Sequence, residues 1–128
     1  MRYYFSKIVG YDFETAINKV TEELKKEGFG VLTEIDVKET LKIKLGVDFK
    51  KYRILGACNP NLAYEALKTE DKIGTMLPCN VVVQEHENGK VEVTAVNPVA
   101  SMIAIKNDRL RLVAEQVKEK LMTLIKNI

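Results

Sequence analysis

Apolar residues recur along the chain in two rhythms, one typical of helices and one typical of strands. A stripe with spacings of three and four predicts a first helix from about Asp12 to Glu27, which Gly28 would end. A longer stripe predicts a last helix, which Asp108 would cap. The two stripes are Phe13, Ile17, Val20 and Leu24, and Leu110, Val113, Ala114, Val117, Leu121, Leu124 and Ile125.

Five β-branched or aromatic runs predict strands, at about 3–9, 30–35, 52–58, 76–85 and 91–96. Asn88-Gly89 lies between the last two runs, within residues 86–90, and is a strong short-range signal for a hairpin. We therefore expect these two strands to pair antiparallel.

Short helices are predicted after two of the strands, where Asn is followed by Pro at Asn59-Pro60 and Asn97-Pro98. Asn is a good N-cap, and Pro is tolerated at the first helical position because the N–H that it lacks would be unpaired there. The second of these helices is expected to reach Ile105. The two units hint at internal similarity, but they are too short to establish a repeat.

Residues 36–46 allow two interpretations. Leu41, Ile43 and Leu45 alternate with lysines, as in a strand. Asp36 with Glu39, however, forms a plausible capping box, and a helix could end at Gly46. These end signals favour a short helix.

The predicted order of elements is β-α-β-α-β-α-β-β-α-α over a single domain of residues 1–128. One certain hairpin among helical connections indicates the α+β class. We expect a two-layer sandwich of helices on one mixed sheet, parallel at the helical crossovers and antiparallel at the hairpin.

Composition excludes several classes of function. The chain is 46% hydrophobic and 30% charged, with a net charge of +2, so it lacks the basic character expected of a nucleic-acid-binding protein. The first residues have no apolar segment typical of a signal peptide, and no apolar run is long enough to span a membrane. We expect a soluble cytoplasmic protein, with mostly reduced thiols.

Both cysteines lie in similar settings, ACNP at 57–60 and LPCN at 77–80. Cys58 precedes a helix N-terminus, where the helix dipole would favour a thiolate, although a small buried residue at a strand end is the more common case. Cys79 is expected to be a core thiol. If the helix between the two strands made a parallel crossover, the thiols would be about 20 Å apart, too far for a disulfide.

The two asparagines that follow these cysteines complete the candidate site. Asn59 is expected to cap a helix, whereas Asn80 lies within a strong strand, where a polar amide must face water or bind a defined partner. His86 lies an odd number of residues from Cys79, on the opposite side of a regular strand, and is expected to be a solvated turn residue. We therefore expect no metal site, and no catalytic constellation is visible.

Two segments make the chain recognisable, GACNPNLAYEAL and GTMLPCNVVVQE. They resemble the domain-of-unknown-function family numbered 302, small bacterial and archaeal proteins, and the run at 28–60 and the Asn-Pro at 97–98 are similar to that family too. The resemblance implies an α/β sandwich, a helix over 37–45 and a dimer. It implies no activity and no functional residue.

These observations lead to two hypotheses about function. The first is a non-catalytic homodimer that binds a small ligand or a partner near Cys58, Asn59, Cys79 and Asn80, with an unknown cofactor. The alternative is a thiol-dependent redox or soft-metal-binding protein that uses Cys58 and Cys79.

Overall fold

The chain folds in the predicted order of elements, and the computed structural model describes all residues from Met1 to Ile128. Segment 36–46 forms the favoured helix, with the Asp36 carboxylate accepting a 3.0 Å hydrogen bond from the Glu39 backbone N–H and Gly46 ending it in the left-handed region. The elements are β1 Tyr4–Val9, α1 Phe13–Lys26, β2 Gly30–Asp36, α2 Val37–Leu45, β3 Tyr52–Cys58, α3 Pro60–Thr69, a 3₁₀ helix Asp71–Met76, β4 Cys79–Glu85, β5 Val91–Val96, α4 Pro98–Ser101 and α5 Asp108–Asn127.

Three predicted boundaries were wrong for local reasons. Strand β4 begins at Cys79 and not at residue 76, because the preceding residues form the 3₁₀ helix and Pro78 has no N–H to donate to a neighbouring strand. Helix α4 stops at Ser101 and does not reach Ile105, since the chain turns there before α5, which packs against α3 and α4. Helix α5 is capped by Asn107, whose Oδ1 accepts a 3.1 Å hydrogen bond from the Leu110 N–H.

The five strands form one sheet in the order β1-β5-β4-β3-β2, and all neighbours are antiparallel. The α+β class is confirmed, but the parallel pairs expected in a mixed sheet are absent. After α2 the chain forms β3, which pairs antiparallel with β2. After α3 and the 3₁₀ helix it forms β4, which pairs antiparallel with β3. Only α1 joins two strands of the same direction, and these lie at opposite edges of the sheet.

Two helices, α1 and α5, cover one face of the sheet and create the main core of 19 buried residues. The predicted stripe of α1 faces this core, and so does the second half of the α5 stripe. The first half of the α5 stripe packs elsewhere, in a second cluster of five buried residues with α3 and the 3₁₀ helix. The second cluster consists of Ala66, Ile73, Met102, Leu110 and Ala114.

The hairpin between β4 and β5 is confirmed, with Gly89 at φ +80° and the His86 N–H donating to the Lys90 carbonyl at 2.8 Å. Burial in β5 alternates strictly, so Val91, Val93 and Ala95 face the helices and the residues between them face away. None of the helices combines the length and the apolar character that crossing a bilayer requires.

Gly56 in β3 allows a close approach at the end of the sheet where β3 stops. A Cβ atom at this position would overlap the Thr33 Oγ1 and would lie 2.7 Å from the Pro78 Cγ. Thr33 lies in β2 and pairs with Gly56, and the rigid ring of Pro78 directly precedes β4, so an added Cβ would force one of these neighbours to shift.

We expect Gly56→Ala to lower the free energy of unfolding by about 1–3 kcal/mol, the usual cost of overpacking. Gly30→Ala in β2 is the matched control, because nothing lies within 4 Å of its added Cβ. Urea unfolding of both variants measures the difference. Equal stability of the two variants would contradict the close approach.

Candidate functional site

The two cysteine motifs meet at one end of the central strands of the sheet. Strands β3 and β5 end there and β4 begins there, because β4 runs antiparallel to both. Ala57 pairs with Cys79, so Cys58 lies one residue beyond the partner of Cys79. The separation of about 20 Å held only for a parallel crossover; β3 and β4 are antiparallel instead, and both thiols line a single pocket.

The pocket at this end of the strands lies between the main core and the second cluster and has a volume of about 240 Å³. Of its 17 lining residues 14 are hydrophobic and none is charged. The lining residues come from β2, β3, β4, α3, α4 and α5 and from the loops beside them. Those used below are Cys58, Asn59, Ala63, Cys79, Pro98 and Met102.

Cys79 contributes a neutral thiol to this pocket. It is only 9% exposed, and its burial raises the pKa of the thiol to about 11, with a smaller contribution from Cys58. At neutral pH the Cys79 side chain is therefore a small apolar surface and not a thiolate. Cys58 is half-buried, and both cysteines are free.

Asn59 caps helix α3, as its position after β3 predicted. Its Oδ1 accepts a 3.3 Å hydrogen bond from the Leu62 N–H. Its Nδ2 donates a 3.3 Å hydrogen bond to the Glu27 carbonyl at the end of α1. Because both ends of the amide have partners in the protein, Asn59 ties two helices together at the border of the pocket.

The second Asn-Pro unit has the same construction and borders the same pocket. The Asn97 Oδ1 accepts a 3.2 Å hydrogen bond from the Val99 N–H, and its Nδ2 donates to the Arg2 carbonyl at 3.0 Å. Pro98 then lines the pocket beside Met102. Both units lie at the same end of the sheet because β3 and β5 run in the same direction, with β4 between them.

Asn80 is not part of this pocket. It follows Cys79 in β4, so its side chain points to the opposite face of the sheet, where it is exposed. The structure thus brings Cys58, Asn59 and Cys79 together and places Asn80 elsewhere.

A polar network on the opposite face of the sheet could not be predicted from the sequence pattern. The Glu92 carboxylate accepts hydrogen bonds from the Ser6 hydroxyl and lies 2.8 Å from the His86 Nε2. These bonds lower the pKa of Glu92, the one from Ser6 most. His86 is thus not the freely solvated turn residue that was expected. Its contact with Glu92 could have been found only from the pairing of β4 with β5.

Helical periodicity predicts core positions for several of the remaining lining residues. On α3 it predicts an inner side of Leu62, Ala63, Ala66 and Leu67, and the first three line the pocket, whereas Leu67 is 45% exposed and does not. Val113 and Val117 belong to the α5 stripe. Periodicity shows that such residues are buried but not whether they meet or leave a gap. No three His, Cys, Asp or Glu side chains lie close enough together to hold a metal ion.

The chemistry available in the pocket is shape, apolar surface and two thiols. It contains no carboxylate, imidazole or amine that could transfer a proton. It is suited to enclosing an uncharged group.

Comparison with known proteins yields a family and a closely similar solved structure. The model of the domain of unknown function DUF302 matches residues 5–128. The crystal structure of an uncharacterized conserved DUF302 protein from Bacillus stearothermophilus superposes with a TM-score of 0.91. It is 30% identical to this chain, and the alignment covers 98% of each chain. No curated protein matches the sequence.

The double role of Asn59 predicts graded effects of two substitutions. Asn59→Ala removes the cap and the bond to Glu27 and should lower the free energy of unfolding by about 2 kcal/mol. Asn59→Asp keeps the cap but loses the amide donor, so it should lose about 1 kcal/mol. Urea unfolding at neutral pH measures both. Wild-type stability in Asn59→Ala would show that the amide has no structural role.

Proposed function

The chain belongs to the DUF302 family, as its motifs predicted, and since the function of that family is unknown we propose one from the geometry. This protein is a non-catalytic, cytoplasmic, homodimeric single-domain module that binds a small uncharged apolar ligand. The ligand site is the pocket beside Cys58, Asn59 and Cys79. The observation that carries the proposal is a pocket of about 240 Å³ with no charged residue in its lining.

The lining determines which ligands are favoured. Each methylene group moved from water into such a pocket contributes about 0.8 kcal/mol. A carboxylate or ammonium placed there would find no partner of opposite charge, and burying it would cost several kcal/mol. The pocket therefore favours hydrocarbon or aromatic groups over charged metabolites.

The ligand would find little directional hydrogen bonding. Asn59 is the amide-bearing residue of the lining, and its side chain is already bonded to Leu62 and Glu27. The thiols of Cys58 and Cys79 are weak donors and acceptors. Recognition would rest on shape and apolar contact, which supports binding of a class of similar molecules over a single polar metabolite.

Homodimerisation is supported by the family resemblance and by apolar side chains exposed outside the pocket. Ile8 is 49% exposed and Ile35 is 47% exposed, both on strands at the edges of the sheet. Both side chains lie on the face of the sheet opposite α1 and α5, and exposed apolar residues on one such face are typical of protein interfaces.

The alternative is a thiol-dependent redox or soft-metal-binding protein. It is favoured by one observation, that the two cysteines of the chain line the same pocket. The raised pKa of Cys79, about 11, argues against it, because the thiolate is the reactive and metal-binding form.

Ligand binding is tested with a matched pair of probes, 1-octanol and octanoate, in thermal unfolding of the purified protein. We expect 1-octanol to raise the melting temperature as its concentration increases, and octanoate to bind at least about 30-fold more weakly. Ala63→Trp fills the pocket and should weaken 1-octanol binding at least about 10-fold.

Leu67→Trp is the control, because Leu67 lies on the same helix, is 45% exposed and does not line the pocket. Its binding should equal that of the wild type. No stabilisation by 1-octanol, or equal effects of the two probes, would refute an apolar site.

Thiol reactivity distinguishes the proposal from its alternative. In Cys58→Ala only Cys79 remains, and its reaction with a disulfide reagent at pH 7 should be about 100-fold slower in the folded than in the urea-unfolded protein. The raised pKa of Cys79 also makes stability depend on pH. The neutral thiol stabilises the folded state below pH 9, and this contribution to the free energy of unfolding is lost as the pH rises through about 11. Equal rates in the folded and unfolded protein would favour the redox alternative.

A further inference from the structure

The face of the sheet opposite α1 and α5 presents fourteen positions from all five strands, here called the outer face. Antiparallel pairing arranges them in three rows, and the middle row is Ile35, Ile54, Val82, Thr94 and Ser6. The other rows are Tyr52, Gln84, Glu92 and Ile8, and Thr33, Gly56, Asn80, Val96 and Tyr4. All of these positions are half-buried or exposed except Gly56, which is buried.

The outer face carries a single charged residue, Glu92. In a chain with 30% charged residues, an average surface of fourteen positions would hold about four charges. The solvent-facing sides of the helices carry such charges, for example the ion pair of Lys19 and Glu22 on α1. A face of tyrosines, aliphatic side chains, hydroxyls and amides, without free charges, has the composition of a protein interface and not of a solvated surface.

We propose that the outer face is the surface through which two copies of this chain associate, so that their sheets pack face to face. The inference rests on the homodimer of the proposed function and specifies its contact surface. The product is a four-layer assembly with two sheets inside, about 10 Å apart, and the helices of each copy outside. The apolar pockets lie on the helical sides and stay accessible.

The area is sufficient for a stable dimer. Five strands at a spacing of about 4.8 Å, each about 23 Å long, give a face of about 550 Å². Two such faces bury about 1,100 Å² in total, which exceeds the roughly 1,000 Å² that separates specific interfaces from crystal contacts. Phe49 extends the face, since its ring lies 6.1 Å from that of Tyr52.

The chemistry of the outer face favours a second copy as the partner. A two-fold interface brings the same patch together with itself, so an uncompensated charge near its centre would meet a like charge. The only carboxylate, Glu92, lies in an outer row and is bonded to Ser6 and His86. Hydroxyl and amide groups such as Thr94, Asn80 and Gln84 both donate and accept, so identical groups can bond to each other. Nucleic acid would require a cluster of lysines or arginines, and the outer face has only Arg2 beside the Tyr4 ring and Lys50 beside the Tyr52 ring, both at its margins.

Sedimentation equilibrium of the full chain between low and high micromolar concentration tests the assignment. We expect a dimer for the wild type. Val82→Lys places a charge in the middle row and should weaken dimerisation at least about 100-fold, because the ammonium would be buried against the partner. Leu112→Lys is the control, since Leu112 is 66% exposed on α5, and it should dimerise like the wild type. Circular dichroism and thermal unfolding establish whether each variant folds.

Gln84→Lys keeps the test decisive if Val82→Lys does not fold, because it replaces an already polar, long side chain of the outer face. A monomeric wild type would overturn both the homodimer and this interface. A dimer that persists in the folded outer-face variants would overturn the interface alone and leave the homodimer standing. Dissociation by Leu112→Lys would place the contact on the helical side and would also overturn the assignment.

Discussion

The antiparallel pairing of β3 with β4 is the constraint on which the rest of the structure depends. Its register, with Ala57 opposite Cys79, brings the two cysteine motifs to the same end of the sheet. Gly56 makes the register possible, because Pro78 lies where a side chain at this position would be. A shift by one residue would turn the inward residues of β4 toward the outer face and remove the wall of the pocket.

The sheet divides the molecule into two environments with different chemistry. Its inner face is sealed by α1 and α5 and ends in the apolar pocket, where the helices α3 and α4 begin. The proposed ligand site thus occupies the seam between the main core and the second cluster, where packing is incomplete. The outer face carries the hydroxyls, amides and tyrosines, and it is the proposed surface for a second copy. Binding and association would therefore use opposite sides of the same strands.

Asparagine caps connect these parts. Asn59 and Asn97 each follow a strand, begin a helix and donate a hydrogen bond to a carbonyl far away in the sequence. A buried amide is stable only when its groups find partners, and here the partners hold the helix starts that frame the pocket. The two Asn-Pro units are similar because β3 and β5 run in the same direction and end on the same side of the sheet. Their resemblance is explained by topology and requires no internal repeat.

The sequence by itself determined what local chemistry controls. Hydrophobic period, Asn-Pro starts, the Asp36 cap with Gly46, and Asn88-Gly89 were enough to predict the order of the elements, the α+β class and most boundaries. The cap role of Asn59 and the buried thiol of Cys79 also followed from local signals. The tertiary structure alone decided which strands pair and in which direction. That choice depends on contacts between residues far apart in the chain, and it placed Cys58 beside Cys79, moved Asn80 to the other face and joined His86 to Glu92. It also decided where the apolar side chains leave a gap, because periodicity predicts that a residue is buried but not what lies opposite it.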